Sequence, residues 1–230
     1  MNTSILDSIE SIKELDSQSM LASIELLSEQ MKSVFSEAQR VVFPSSYKKA
    51  AQLVVCGMGG SALATHAIKT LYASTFPIPF EIVNGYKLPA YVGRKTLVLV
   101  SSYSGTTEEA LACFIAARKK KALVAVITSD GNLMSWSKKY RVPALIFSTD
   151  KNPCRSPRMG LGYSLIGQLT LLSSLGLLRF TPRDVKRAVD VVARTMDRCG
   201  VDVPTEKNQA KLLANKTPGR SLWYLGAEHL

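Results

Sequence analysis

The chain has 230 residues, of which 46% are hydrophobic and 20% charged, and its formal net charge is +11. This composition supports a packed core and excludes an intrinsically disordered protein. Four cysteines without a C-x-x-C pair, together with only two histidines, argue against a zinc site and a disulfide framework. We therefore expect a cytoplasmic protein with reduced cysteines and no zinc site.

The amino-terminal segment, residues 5–43, has apolar residues at helical spacing and is predicted to be a helix that ends before Pro44. From residue 53 onward, short apolar strands alternate with helices. The predicted strands cover residues 53–56, 79–84, 96–101, 122–128 and 143–148. Buried strands that alternate with helices predict an α/β fold, a doubly wound parallel five-stranded sheet flanked by helices.

Residues 159–178 form a twenty-residue stretch without a charge. Its length would span a bilayer, but Gln168, Thr170 and several serines and glycines favour a buried helix instead. A basic amphipathic helix is predicted after "TPRD" at 181–184, a further helix over 206–216, and a strand over 221–226. These elements predict an amino-terminal helical segment (1–45), a first domain (46–178), connecting helices (179–217) and the start of an incomplete second domain (218–230).

Basic residues cluster at 118–121, at 138–141 and along the helix after 181. Such an excess can serve nucleic acid, a membrane surface or small anions. Few aromatic residues are interleaved with these clusters, and they coincide with predicted helix ends. We therefore expect solvated helix ends, with no nucleic-acid partner and no membrane partner.

Two loops follow predicted core strands and are candidates for binding a ligand. The first is "GMGGSA" at 57–62, whose glycines allow close approach of the backbone to a ligand at a helix start. It matches the relaxed dinucleotide fingerprint, but the next strand ends in Asn84 rather than an acid, which weakens a dehydrogenase assignment. The loop also lacks the Lys-Ser/Thr ending of a nucleoside triphosphatase.

The second loop is "SYSGTTEE" at 102–109, in which hydroxyl side chains precede another predicted helix. Thr106 and Glu109 fit a capping box, and hydroxyls at a helix start are often only caps. Two such loops, each after a core strand, favour a cradle for a monophosphate. A third element, "SPRMGLGYS" at 156–164, places Arg158 at the start of the uncharged helix.

These motifs resemble the sugar isomerase (SIS) domain, and more narrowly the bifunctional phosphoglucose/phosphomannose isomerases of archaea and bacteria. The resemblance rests on "VVCGMGGSALA", "IVNGYKLPAYV", "SSYSGTTEE" and "SPRMGLGYSL". It implies the SIS fold, a hexose phosphate substrate, no metal or other cofactor, and a homodimer. It also implies a reaction that interconverts glucose 6-phosphate or mannose 6-phosphate with fructose 6-phosphate through an enediolate.

The resemblance assigns roles to seven residues. Arg158 would be catalytic, stabilising the enediolate. The residues implied to bind the substrate or its phosphate are Gly59, Gly60, Ser61, Ser102, Ser104 and Thr107.

The catalytic glutamate of the family lies in the second SIS domain and is followed by a histidine, and no residue here matches either. Glu228 and His229 lie too early to be assigned. An alternative therefore stands beside the isomerase, a phosphosugar-binding SIS module without catalysis. The choice between glucose and mannose phosphates depends on pocket shape and does not follow from the motifs.

Overall fold

The computed structural model describes residues 5–224 and shows a parallel sheet with helices on both faces. The strands are β1 (Gln52–Cys56), β2 (Phe80–Val83), β3 (Thr96–Ser101), β4 (Leu123–Thr128) and β5 (Ala144–Ile146). The helices are α1 (Ile9–Leu15), α2 (Met20–Glu25), α3 (Leu27–Ala38), α4 (Gly59–Leu71), α5 (Glu108–Lys119), α6 (Gly131–Tyr140), α7 (Leu161–Ser174), α8 (Pro182–Cys199) and α9 (Gln209–Ala214). Four short 3-10 segments complete the regular structure, at Ile5–Asp7, Ser45–Lys49, Pro157–Gly160 and Thr205–Lys207.

The strand order is β2-β1-β3-β4-β5, and every neighbouring pair is parallel. All five predicted strands are present, and the doubly wound α/β fold is confirmed. The chain moves from β1 outward to β2, then returns to place β3 on the other side of β1. The order therefore reverses between β1 and β3, where open α/β sheets bind their ligands.

Alternate side chains of the strands build two cores on opposite faces of the sheet, because successive residues of a strand point to opposite sides. Leu53 and Val55 of β1 belong to the core that packs against α3, α4 and α7. Val54 and Cys56 belong to the other core, which contains Phe114 of α5 and Leu133 of α6. Both faces are covered, which explains why the central strands β1, β3 and β4 contain continuous apolar runs.

The single helix predicted over residues 5–43 is wrong, because the structure divides this segment into α1, α2 and α3. Asp16 ends the first part, since its carboxylate accepts hydrogen bonds from the backbone N–H groups of Met20 (2.7 Å) and Leu21 (2.9 Å). Ser19 adopts a left-handed conformation with φ of 56°. The apolar spacing continues across the break, but α1 contains no buried residue, and the buried apolar residues of this segment lie in α3.

The carboxyl-terminal helices are shorter than predicted. The uncharged stretch forms α7 after the 3-10 turn Pro157–Gly160, and ten of its fourteen residues are buried. No helix within residues 5–224 is both long and apolar enough to cross a membrane. The helix predicted over 206–216 is confined to α9, which starts where the Asn208 side chain accepts the Lys211 N–H at 3.1 Å.

The strand predicted at 221–226 is not seen in its first four residues, which have no regular structure, and residues 225 and 226 lie outside the described residues. The division into domains at residues 45, 178 and 217 stays a prediction.

Candidate functional site

The two candidate loops lie side by side at the carboxyl edge of the sheet, where the strand order reverses. The glycine loop connects β1 to α4, and the hydroxyl loop, residues 102–107, connects β3 to α5. Because β1 and β3 are hydrogen-bonded neighbours, both loops leave the sheet at adjacent positions. The amino termini of α4 and α5 therefore border the same crevice.

The glycine loop approaches a third segment so closely that a side chain would not fit. A Cβ on Gly60 would lie 2.8 Å from the carbonyl oxygen of Pro157, in the 3-10 turn that carries Arg158. Gly59 has φ of +52°, a conformation that other residues rarely adopt. The glycines thus allow the start of α4 to pack directly against the arginine turn.

Hydrogen bonds join the hydroxyl loop to itself and to the glycine loop. Ser102 Oγ lies 2.8 Å from Thr107 Oγ1 and accepts the Gly105 N–H at 3.1 Å. Ser61 Oγ accepts the Tyr103 N–H at 3.2 Å, which links the two loops. These contacts leave Ser102 buried beneath the loop, while Ser104 is exposed at its surface.

The capping box predicted for Thr106 and Glu109 is wrong. Helix α5 begins one residue later, with Thr107 as its N-cap, and no side chain caps it. The Thr106 hydroxyl instead pairs with Ser104 Oγ at 3.0 Å. Helix α4 likewise starts after Met58 without a side-chain cap. Both helices therefore present first-turn N–H groups that no capping side chain occupies.

The path of the hydroxyl loop depends on its contact with the next loop of the sheet. Gly105 has φ of +70°, and a Cβ there would lie 1.8 Å from the carbonyl oxygen of Asp130. The Tyr103 carbonyl accepts hydrogen bonds from Ser129, at 3.1 Å from the backbone N–H and at 2.6 Å from the hydroxyl. The loop after β4 thus supports the loop after β3.

Buried carboxamides attach the loops to the protein from below. Asn152 donates through Nδ2 to the Tyr103 hydroxyl at 2.8 Å and to the Ser156 carbonyl at 2.9 Å, joining the hydroxyl loop to the arginine turn. Gln168 of α7 donates to the Ser61 carbonyl at 3.3 Å and accepts from the Thr65 hydroxyl at 2.8 Å. Gln30 of α3 donates to the Met159 carbonyl at 3.0 Å.

The crevice is an open cleft of about 290 Å³. Six of the seven predicted site residues line it, and Ser102 lies beneath them. Sequence reasoning missed four of the lining residues, Met58, Tyr103, Ser156 and Pro157. The full lining is Met58, Gly59, Gly60, Ser61, Tyr103, Ser104, Thr107, Ser156, Pro157 and Arg158.

The cleft has the electrostatics of an anion site. Arg158 is exposed, and within the described part of the chain no carboxylate lies within 4.0 Å of it. Aspartate, glutamate and histidine do not occur among the described residues that line the cleft. Burial raises the pKa of Tyr103, which stays a neutral hydroxyl. The cleft therefore offers hydroxyls, amides and one guanidinium, all of which can donate hydrogen bonds to an anion.

Nothing in the described residues suggests a resident metal, since no group of three His, Cys, Asp or Glu side chains is placed to hold one within residues 5–224.

Sequence comparison relates the chain to a known domain family and to named isomerases. Residues 46–143 match the profile of the SIS domain. The chain is 32% identical over 197 residues to the bifunctional phosphoglucose/phosphomannose isomerase of Caldicellulosiruptor bescii, covering 86% of this chain and 57% of that protein. It is 38% identical over 126 residues to the enzyme of the same name from Aquifex aeolicus, covering 52% and 37% of the two chains. The chain thus spans little more than half the length of the first relative.

A solved structure shares the fold at low sequence identity. The crystal structure of tagatose-6-phosphate ketose/aldose isomerase from Escherichia coli superposes with a TM-score of 0.50 at 16% identity. The superposition covers 78% of this chain and 48% of that one.

Proposed function

We propose that the chain, whose residues 46–143 match the SIS domain and which is similar to bifunctional phosphoglucose/phosphomannose isomerases, serves aldose–ketose isomerisation of hexose phosphates. The reaction would interconvert glucose 6-phosphate or mannose 6-phosphate with fructose 6-phosphate through an enediolate. We also propose that the protein acts as a cytoplasmic homodimer, as the family resemblance implies.

The observation that carries the proposal is the pair of uncapped helix termini at one cleft. Helices α4 and α5 both start there without a side-chain cap, and the hydroxyls of Ser104 and Thr107 lie beside the α5 terminus. A helix amino terminus attracts anions through its free N–H groups and its dipole. We assign the phosphate of the substrate to the α5 terminus, with Ser104 and Thr107 as donors.

The sugar would extend from that phosphate toward the glycine loop and the arginine turn. Gly59, Gly60 and Ser61 would position it, and Arg158 would face the oxygens at which negative charge develops. During isomerisation, a base removes the proton from the carbon next to the carbonyl, and the proton returns to the former carbonyl carbon. Arg158 would stabilise the enediolate oxygen between these steps. No base is assigned among the residues of this cleft.

Calorimetric titration with 5-phosphoarabinonate, an enediolate mimic, tests the phosphate assignment. The Ser104→Ala/Thr107→Ala double variant should bind at least about tenfold more weakly, because it loses two donors to a charged group. Ser74→Ala/Thr75→Ala is the matched control, since it removes the same two hydroxyls from an exposed segment after α4. Equal affinity of both double variants for the mimic would refute the phosphate assignment.

A comparison of two ligands tests the role of Arg158. Arg158→Lys should weaken 5-phosphoarabinonate more than fructose 6-phosphate, because only the mimic carries the charge of the enediolate.

Incubation of the protein with fructose 6-phosphate in D₂O separates the isomerase from the binding module. Deuterium appearing on the carbon next to the carbonyl supports isomerisation, whereas binding without exchange supports the module.

A further inference from the structure

Basic residues collect at the edge of the sheet opposite the proposed phosphosugar cleft. They occupy the segments just before four of the five strands, and parallel strands bring those segments to one edge. The residues are Lys48 and Lys49 before β1, Arg94 and Lys95 before β3, Arg118, Lys119, Lys120 and Lys121 before β4, and Lys138, Lys139 and Arg141 before β5. We call this set the basic edge.

Among the described residues, the cations of the basic edge have no acidic partner. Within residues 5–224, only two pairs of oppositely charged side chains lie within 4.0 Å of each other, Lys32 with Glu29 and Lys211 with Asp7, and neither belongs to this edge. Charges of one sign that are crowded together and unpaired repel one another, and the repulsion lowers stability. A bound polyanion would relieve it.

Helix geometry explains part of the accumulation. Helices of this fold end at the basic edge, and their negative carboxyl termini favour lysine and arginine. Two observations are not explained by the helix termini. Arg94 and Lys95 lie in a loop rather than at a helix end. Lys121 and Arg141 adopt left-handed conformations, with φ of 58° and 52°, at positions after α5 and α6 where glycine is usual and other residues cost about 1 kcal/mol.

Aromatic side chains lie among these cations in a groove between α5 and α6. The groove has a volume of about 590 Å³, and we call it the α5–α6 groove. Trp136 packs against Phe114 with ring centroids 5.5 Å apart. The guanidinium of Arg118 lies 5.0 Å from the ring centroid of Tyr140, and Lys139 Nζ lies 5.5 Å from the same centroid.

The groove is open to a ligand that combines rings and negative charge. Tyr140 is 41% exposed and Ile115 is 44% exposed, while Arg118, Lys119 and Lys139 are exposed around them. In the sequence these basic clusters contain few aromatic residues, which favours solvated helix ends. In the fold, the tryptophan and tyrosine of α6 lie beside the cations of α5. This arrangement favours a binding surface for a ligand with rings and negative charge over simple solvated helix ends.

We propose that the basic edge and the α5–α6 groove bind single-stranded nucleic acid. Surfaces that bind single strands join a cationic track for the phosphates to aromatic side chains on which bases stack. The basic edge supplies the track, and Trp136 and Tyr140 supply the rings. The site lies at the edge opposite the phosphosugar cleft, so the proposal does not depend on the function of that cleft.

Fluorescence anisotropy with a labelled oligonucleotide of about 15 nucleotides tests the cationic part. The Arg118→Ala/Lys119→Ala/Lys139→Ala variant should lose at least tenfold in affinity. The slope of log K against log salt should fall in magnitude by about 2, since each phosphate contact on a single strand contributes about 0.7. Circular dichroism checks that the variant remains folded.

The matched control is Lys186→Ala/Arg194→Ala/Arg198→Ala, which removes three exposed positive charges from α8. It should keep most of the affinity. Equal losses in the two triple variants would overturn the proposal, because net charge alone would then explain the binding. Failure of the parent protein to bind the oligonucleotide at low salt would also overturn it.

Tryptophan fluorescence tests the stacking part. Trp136 and Trp223 are the two tryptophans of the chain, so a Trp223→Phe protein reports on Trp136 alone. An oligonucleotide should quench Trp136, whereas polyphosphate, which carries charge without bases, should not. Equal quenching by both, or binding of the oligonucleotide without any quenching, would show a surface for polyanions in general and refute the assignment to nucleic acid.

Discussion

Ser102 and Thr107 lie with their hydroxyl oxygens 2.8 Å apart, one buried beneath the hydroxyl loop and the other lining the cleft. Ser102 Oγ also accepts the Gly105 N–H at 3.1 Å. With one N–H already directed at its oxygen, the Ser102 hydroxyl can donate its proton to Thr107. The Thr107 proton is then free to point into the cleft, so that a chain of donors runs from the loop backbone toward a ligand.

This relationship separates the roles of two serines of one loop. Ser102→Ala should lower the free energy of unfolding by about 1–3 kcal/mol, because it leaves the buried Gly105 N–H without its acceptor. Ser104→Ala should change stability by less than about 0.5 kcal/mol, since the side chain is exposed. Both should weaken 5-phosphoarabinonate. Urea denaturation and calorimetry measure the two effects.

The reverse pattern would contradict this assignment. If Ser102→Ala keeps its stability and loses only affinity, Ser102 contacts the ligand directly and does not act through Thr107.

The close approach of Gly60 to Pro157 leads to a second prediction. Gly60→Ala should lower stability by about 1–3 kcal/mol through overpacking, because the new Cβ would lie 2.8 Å from the Pro157 carbonyl oxygen. The same displacement moves the turn that carries Arg158, so the affinity for 5-phosphoarabinonate should fall as well. Thermal unfolding and calorimetry measure both quantities.

Gly176→Ala is the control for this prediction. Gly176 has φ of +78° and no atom within 4 Å of a new Cβ, so its substitution adds backbone strain without a clash. We expect a loss of about 1 kcal/mol in stability and an unchanged affinity. A Gly60→Ala protein that binds as tightly as the Gly176→Ala protein would show that the turn tolerates the shift.

The carboxamide of Gln168 provides a third prediction. Gln168→Leu should cost about 1–3 kcal/mol of stability, because it leaves the buried Thr65 hydroxyl and Ser61 carbonyl without this partner. Thr65→Val together with Gln168→Leu should recover part of the loss, since replacing both members of a buried polar pair by apolar groups is less costly. A double variant whose loss equals the sum of the single losses would contradict the predicted coupling.

The sequence predicted the sheet well and the helical segments less well, for a physical reason. Five apolar runs form five strands. The central strands are buried on both faces, as Val54 and Val55 of β1 show by belonging to different cores, whereas the edge strand β2 leaves Glu81 exposed. The break at Asp16 was missed because an aspartate inside an apolar spacing looks like a solvent-facing residue. The hydrogen bonds that its carboxylate accepts from two backbone N–H groups are evident only in the structure.

The candidate site was predictable in its loops but not in its supports. Glycines and hydroxyls after core strands pointed to the cleft, since parallel strands bring their carboxyl ends to one edge. Asn152 and Gln168 left no local signal, because each joins segments far apart in the chain. In the sequence, Gln168 indicates only a polar position that disfavours a membrane span, whereas in the structure its side chain donates to the carbonyl of Ser61, 107 positions earlier.

The start of α8 leads to a prediction about pH. The Asp184 carboxylate accepts hydrogen bonds from the Thr181 hydroxyl at 2.6 Å and from the Thr181 N–H at 2.9 Å. These bonds lower the pKa of Asp184 below its ordinary value of 3.8, with nearby Arg187 and Arg179 adding to the effect.

A carboxyl whose pKa is lowered by folding stabilises the protein above its unfolded pKa, and the stabilisation is lost as pH falls through the folded pKa. Asp184→Asn should therefore lower stability at neutral pH and make it less dependent on pH below 3.8. Urea denaturation across this range measures both changes, and Asp190→Asn, on an exposed position of the same helix, is the control. Parallel pH profiles for the parent protein and Asp184→Asn would show that the contact with Thr181 does not depend on charge.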